Sequence, residues 1–157
     1  MKSFRNRLTC IRDLADRYDY FLVDQWGVLH DGQSVYPGVL DCLQHLQQRG
    51  KKVILLSNSG KPALANGPRL EQFGIDNSCY TRLITSGDLA RSLLETRHAP
   101  FTPELGRRYL LLNIDDYHSL VEGLDLEAVA SVREADFILL TGVRDDRDGL
   151  FYQDILD

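Results

Sequence analysis

Short apolar runs alternate along the chain with stretches of helical period, and each apolar run ends in a polar or glycine-bearing turn. That alternation predicts βαβ units around a parallel sheet. Residues 4–17 read as an opening helix with Leu8, Ile11, Leu14 and Ala15 on one face. Tyr20 to Val23 is a strand that ends at Asp24, and Gly27 and Gly32 then bracket Val28-Leu29-His30-Asp31 as a small hairpin or flap. A helix opens at Pro37 and runs through Val39, Leu43 and Leu46 to Gly50, its C-cap. Lys51 to Leu56 is the second strand, closed by Ser57-Asn58-Ser59-Gly60. Pro62 to Phe73 is helical, with Gly67-Pro68 expected to kink or restart it before Gly74 stops it. The third strand, Arg82 to Ile84, feeds Thr85-Ser86-Gly87-Asp88. There Thr85 can cap a helix whose apolar face is Leu89, Leu93 and Leu94.

From Thr96 to Gly106 the composition turns to His98, Pro100, Thr102, Pro103 and Gly106, which marks a domain junction and divides the chain into residues 1–102 and 103–157. Beyond it the pattern restarts. A strand is expected at Arg108 to Leu112, a helix near Asp116 to Val121, a short helical piece at Leu126 to Val129 and a strand at Phe137 to Thr141. Arg144 to Asp157 is acidic and opens one more helix.

Charge and composition exclude several roles. The 157 residues hold 18 Lys+Arg against 23 Asp+Glu, a net charge of −5 with no basic tract, so nucleic acid is not an expected partner. The longest apolar runs, Val53–Leu56, Tyr109–Leu112 and Phe137–Leu140, fall far short of the ~20 residues that cross a bilayer. Met1 to Asp19 intersperses arginines with aspartates and lacks the apolar centre of a secretory signal, which predicts a cytoplasmic location. Cys10, Cys42 and Cys79 are too scattered for a disulfide framework or a paired metal motif and are read as thiols.

The candidate chemistry gathers where strands end, because open parallel sheets bind ligands outside the carboxyl ends of their strands. Asp24 there is either an Asx turn or a nucleophile toward phosphorus and a ligand for Mg²⁺, a hard cation that prefers oxygen. Ser57 and Asn58 end the second strand at the same edge. Their side chains, with the backbone N–H groups of Ser59 and Gly60, form either an ordinary polar turn or a cradle for a phosphoryl oxygen. Thr85 brings a third strand to that edge, as a helix cap or as part of the same site.

Three ordered blocks carry a resemblance. They are Asp24-Gln25-Trp26-Gly27-Val28-Leu29 with His30-Asp31-Gly32 and Pro37-Gly38, then Gly50 through Ser59, then Phe73-Gly74-Ile75 with Ile84-Thr85-Ser86-Gly87. In this order the chain resembles the haloacid dehalogenase superfamily of phosphohydrolases, class IIA, from about Tyr20 onward. Arg107–Leu112 and Ala135–Gly142 are similar to the start of that class's cap. The resemblance implies a Rossmann-like three-layer α/β core over residues 1–102 and the beginning of an α/β C2-type cap over 103–157. It implies Mg²⁺-dependent hydrolysis of a small phosphorylated metabolite through an aspartyl-phosphate. Asp24 would be nucleophile and metal ligand, the backbone carbonyl of Trp26 a second ligand, and Ser57, Asn58 and Ser59 the phosphate-binding loop.

Two departures from the family pattern bear on activity. The residue two beyond the nucleophile, an acidic general acid and base in most members, is here Trp26, whose indole cannot protonate a leaving alkoxide. Loss of such a group typically costs ~10²–10⁴ in rate. His30 and Asp31 could stand in for it or be solvent-facing flap residues. The family also places a stabilising lysine and an acidic metal motif after the cap. Lys51, Lys52 and Lys61 do not lie at that place, so the reading is of the N-terminal part of a larger enzyme, inactive alone. Without the post-cap strands, Tyr20–Val23 would be an apolar sheet edge prone to homo-oligomerisation. A non-catalytic phosphate- or nucleotide-binding relative is the rival reading, and a phosphoacceptor receiver domain a third. Asp145, Asp146 and Asp148 read as an acidic turn, and His45, His98 and His118 show no ligand spacing.

Overall fold

The computed structural model describes residues 11–96, 105–112 and 119–142, with positions 149, 153 and 155. Its elements are α1 (Arg12–Ala15), β1 (Tyr20–Asp24), α2 (Val39–Gln48), β2 (Lys52–Ser57), α3 (Ala63–Gln72), β3 (Arg82–Thr85) and α4 (Ser86–Thr96). β4 (Arg108–Leu112), β5 (Glu127–Ala128), a 3₁₀ turn (Val132–Glu134) and β6 (Phe137–Leu140) follow. The fold is α/β. The chain divides into two compact units, Met1–Ser57 with Leu64–Ile84 and Asn58–Ala63 with Thr85–Asp157. The expected junction falls mostly on residues 97–104, outside the described residues, as do residues 4–10 of the opening helix and nearly all of 144–157.

In the first unit the sheet order is β1-β2-β3, so β1 is an edge among the described strands. β1 and β2 run parallel, from Tyr20 opposite Lys52 to Asp24 opposite Leu56. Their side chains alternate between faces, as strand geometry requires. Phe21, Val53, Leu55 and Leu83 are buried on one side, along with Leu43 and Leu46 of α2 and Leu70 of α3. On the other side Tyr20 and Leu22 stay 70% and 66% exposed. α2 begins at Val39 and not at Pro37, because Gly38 takes the left-handed conformation at φ +83°, which ends the turn and cannot be a helical residue. α3 does not restart at Gly67-Pro68 but runs unbroken past it. Pro68 and Leu64, four residues earlier, are both exposed, so water can reach the carbonyl that proline leaves unbonded.

In the second unit β4 lies between β5 and β6, all parallel. Leu94 of α4 is buried with Tyr109 and Val121, flanked by Leu105, Leu111, Leu126, Phe137 and Leu139. α4 buries Gly87 and Leu94, two turns apart, whereas Leu89, expected on that face, is exposed. Leu126–Val129 is not helical. The N–H groups of Glu127 and Val129 donate to the carbonyls of Arg107 and Tyr109, each at 2.9 Å, so β4 takes donors that a helix would need. Of the helix expected near Asp116–Val121, residues 116–118 lie outside the described residues and 119–121 form turns. Arg91 holds those turns, donating to the carbonyls of Ser119, Leu120 and Glu122 at 3.0–3.1 Å. At the start of β4 the Asp136 carboxylate accepts from the backbone N–H groups of Arg107 and Arg108 and from the Arg108 guanidinium. With the Arg108 side chain as the chief cause, these bonds hold the Asp136 carboxyl down at about 2.

Candidate active site

Two of the site residues read from sequence end neighbouring strands. Asp24 is the last residue of β1 and lies opposite Leu56, one position before Ser57, the last residue of β2. Parallel pairing in this register therefore brings the carboxylate and the hydroxyl to the same edge of the sheet. Asp24 is exposed, and its Oδ1 accepts the Gln25 N–H at 2.8 Å. Among the described residues that is the carboxylate's one hydrogen bond, and it leaves Oδ2 without a donor from them.

The flap forms as a tight return. The Gln25 carbonyl accepts from Val28, Leu29 and His30, and the Gly27 N–H donates to the His30 carbonyl at 2.8 Å, with Gly27 at φ +80°. Trp26 forms an isolated bridge with His30, and His30 another with Val35. The Trp26 carbonyl accepts no hydrogen bond among the described residues. An exposed carboxylate and an unbonded main-chain carbonyl two residues apart are a hard-oxygen donor set. It fits Mg²⁺, which keeps several waters and needs only one or two protein carboxylates beside substrate phosphate.

The flap residues considered as stand-in acids are otherwise engaged. His30 is 4% exposed and not solvent-facing, packed against Phe73 at 4.8 Å and edge-on to Trp26 at 5.8 Å. Its Nδ1 accepts the Gly32 N–H at 3.1 Å. Burial first, then the Arg69 charge, push its pKa down and keep the ring neutral. Asp31 is exposed, and its Oδ1 accepts from the backbone of Ser34 at 2.7 Å and Gln33 at 2.8 Å. These bonds, Ser34 foremost, hold it ionised below the usual carboxylate range, so it closes a turn and has no proton to give.

Asn58 and Ser59 follow Ser57 along the chain and belong to the second unit. Asn58 is exposed. Ser59 is built in: its carbonyl accepts the Gly87 N–H at 3.0 Å and its Oγ accepts the Lys61 N–H at 3.1 Å. Gly60 and Gly87 are required by close backbone approach. A Cβ on Gly60 would stand 2.7 Å from the Thr141 carbonyl oxygen, and one on Gly87 would stand 2.8 Å from the carbonyl carbons of Gly60 and Lys61. Thr85 is a helix cap, its Oγ1 accepting the Asp88 N–H at 3.0 Å. The Asp88 carboxylate returns to the Thr85 hydroxyl at 2.9 Å and takes the Ala63 N–H at 3.1 Å. Asp88, Thr141 and Arg69 were not singled out from sequence. Only Asp88 carries a local signal, an acidic residue three places after a capping threonine.

A sequence profile described as haloacid dehalogenase-like hydrolase matches residues 21–127. The chain belongs to the haloacid dehalogenase-like hydrolases. The phosphoglycolate phosphatase of Pseudomonas putida is 36% identical over 75 residues, 48% of this chain and 26% of that protein. A hydrolase of the haloacid dehalogenase-like family from Brucella suis superposes with a TM-score of 0.78 at 30% identity, covering 93% of this chain and 53% of its own. At 21% identity the glycerol phosphate phosphatase of Mycobacterium tuberculosis, solved in complex with magnesium, shares the fold with a TM-score of 0.60, over 87% of this chain and 39% of its own. The chain thus spans about half the length of the Brucella relative. Among the described residues no group of three His, Cys, Asp or Glu could hold a metal, and no helix is long and apolar enough to cross a membrane.

Proposed function

We propose that this hydrolase is a class IIA phosphatase in which Asp24 attacks the phosphorus of a small phosphorylated metabolite. The observation that carries the reading is that an exposed Asp24 carboxylate and Ser57 end adjacent parallel strands at the same edge of the sheet. In the first step an Asp24 oxygen bonds to phosphorus as the ester P–O bond breaks, giving an aspartyl-phosphate and the leaving alkoxide or phenoxide, which takes its proton from solvent water. Water then attacks that phosphorus and releases inorganic phosphate and the Asp24 carboxylate. Ser57 binds a phosphoryl oxygen. Asp24 and the Trp26 carbonyl would hold Mg²⁺, which would supply neutralisation of phosphoryl charge. The leaving oxygen takes its proton from neither Trp26, His30 nor Asp31, for the reasons given above. Esters with good leaving groups, such as aryl phosphates that release a phenoxide, are therefore the favoured substrates. On this reading residues 1–102 belong to the hydrolase core and 103–157 to the cap, in a cytoplasmic protein.

The test is turnover of an aryl phosphate by the longest natural form of the protein. Asp24→Asn is expected to abolish Mg²⁺-dependent release while leaving the circular dichroism spectrum unchanged. An unaffected rate removes Asp24 from the nucleophile role. Phosphate binding without turnover in the unmodified protein would instead favour a non-catalytic binding protein, the reading to which Trp26, standing where a second carboxylate is usual, points.

A further inference from the structure

Arg69 is an exposed residue of α3 and reaches across to the flap. Its Nη2 donates to the Gly32 carbonyl at 3.0 Å, and its guanidinium lies 5.7 Å from the centre of the Trp26 ring. The indole is pressed on Gly32 so closely that a Cβ there would overlap it, with Cζ3 at 2.6 Å. Gly32 is thus held on both sides, its N–H by His30 Nδ1 and its carbonyl by Arg69. The Trp26–Gly27 peptide sits at the centre of this arrangement. Its N–H donates to the His30 carbonyl, and a trans peptide directs its C=O the opposite way, out of the turn. Gly27 and Gly32, at φ +80° and +91°, give this segment little stiffness of its own. The rigidity comes from what grips the indole.

We propose that Arg69 is a positioning residue for the cation site: by clamping Trp26 and Gly32 it holds the Trp26 carbonyl as an oxygen ligand. The proposal rests on the reading of Asp24 and that carbonyl as Mg²⁺ ligands. It also gives Trp26 a role that an acid at this position would not have, since the guanidinium is attracted to the face of an aromatic ring. Partners that orient metal ligands typically matter by ~10-fold or more in metal affinity.

Trp26 is the only tryptophan in the chain, so its emission reports the clamp and calorimetry reports the metal. MgCl₂ is titrated into the unmodified chain and into Arg69→Ala, Arg69→Lys and Asp24→Asn, with circular dichroism checking the fold of each. Asp24→Asn is expected to remove the Mg²⁺ isotherm. Arg69→Ala is expected to raise the Mg²⁺ midpoint about tenfold and to make Trp26 more accessible to acrylamide, with Arg69→Lys recovering part of both. If Arg69→Ala does not fold, Arg69→Lys carries the comparison, with an expected rise of a few-fold. An isotherm that depends on Asp24 but keeps its midpoint within twofold in the Arg69 variants overturns the clamp and leaves the ligand assignment standing. No Asp24-dependent isotherm in the unmodified chain overturns both together.

Discussion

Replacing Asp88 by alanine should destabilise the second unit more than its place in the first turn of a helix would suggest. The carboxylate accepts from the Ala63 N–H at 3.1 Å, the Thr85 N–H at 3.3 Å and the Thr85 hydroxyl at 2.9 Å. A hydrogen bond to a charged group contributes about 1.5–3 kcal/mol, and a lost helix cap costs about 1 kcal/mol. These contributions overlap, because the Thr85 hydroxyl still caps the backbone N–H of residue 88 and half-buried Ala63 can be rehydrated. Thr85 is 1% exposed, so its own N–H is left without an acceptor. The expected loss is therefore about 2–4 kcal/mol. Asp88→Asn keeps one oxygen in place and should lose only about 1 kcal/mol. Urea denaturation followed by circular dichroism reads the difference, a drop of roughly 1–2 M in midpoint for the alanine variant. A loss below about 1 kcal/mol in Asp88→Ala, or equal losses in the two variants, would refute the assignment of Asp88 as the tie between Ala63 and Thr85.

Asp31→Asn should reduce turnover far less than Asp24→Asn, because Asp31 closes a turn; equal losses would show that the flap carries a proton after all. Turnover across a series of aryl phosphates should fall steeply as the leaving phenol becomes more basic, and a flat series would mean that a general acid acts at this site. Asp136 has a folded pKa of about 2 against an ordinary 3.8, so the unfolded chain binds more protons in acid. Its stabilising effect is complete above 3.8 and is lost as pH falls toward about 2. Urea midpoints across that window should fall in the parent and less so in Asp136→Asn, and identical slopes would remove the Arg108–Asp136 pair as the cause. Leu22→Lys, on the exposed face of edge strand β1, should lower any self-association seen by sedimentation. Association undiminished in that variant would place the contact elsewhere.

The apolar runs at Tyr20–Val23, Lys51–Leu56, Arg82–Ile84, Arg108–Leu112 and Phe137–Thr141 were enough to place five strands within a residue or so of where they lie. Such runs are legible because a strand buried in a parallel sheet needs continuous apolar residues and a polar stop. The positions of Asp24 and Ser57 at strand ends follow from that local pattern alone. Other features depended on what the chain meets after folding. Leu126–Val129 has a helical pattern of apolar residues but pairs with β4, because two neighbouring carbonyls accept its N–H groups. His30 looked like a solvent-facing residue of a glycine flap, and only the arrival of Phe73 and Trp26 buries it. Arg69 carries no sequence signal for its grip on Gly32, 37 residues away, nor Asp88 for its bond to Ala63, 25 residues away. Periodicity and turn chemistry are properties of neighbours in sequence. Which donor meets which acceptor across the fold is set by strand register and helix placement, and those exist only once the chain has packed.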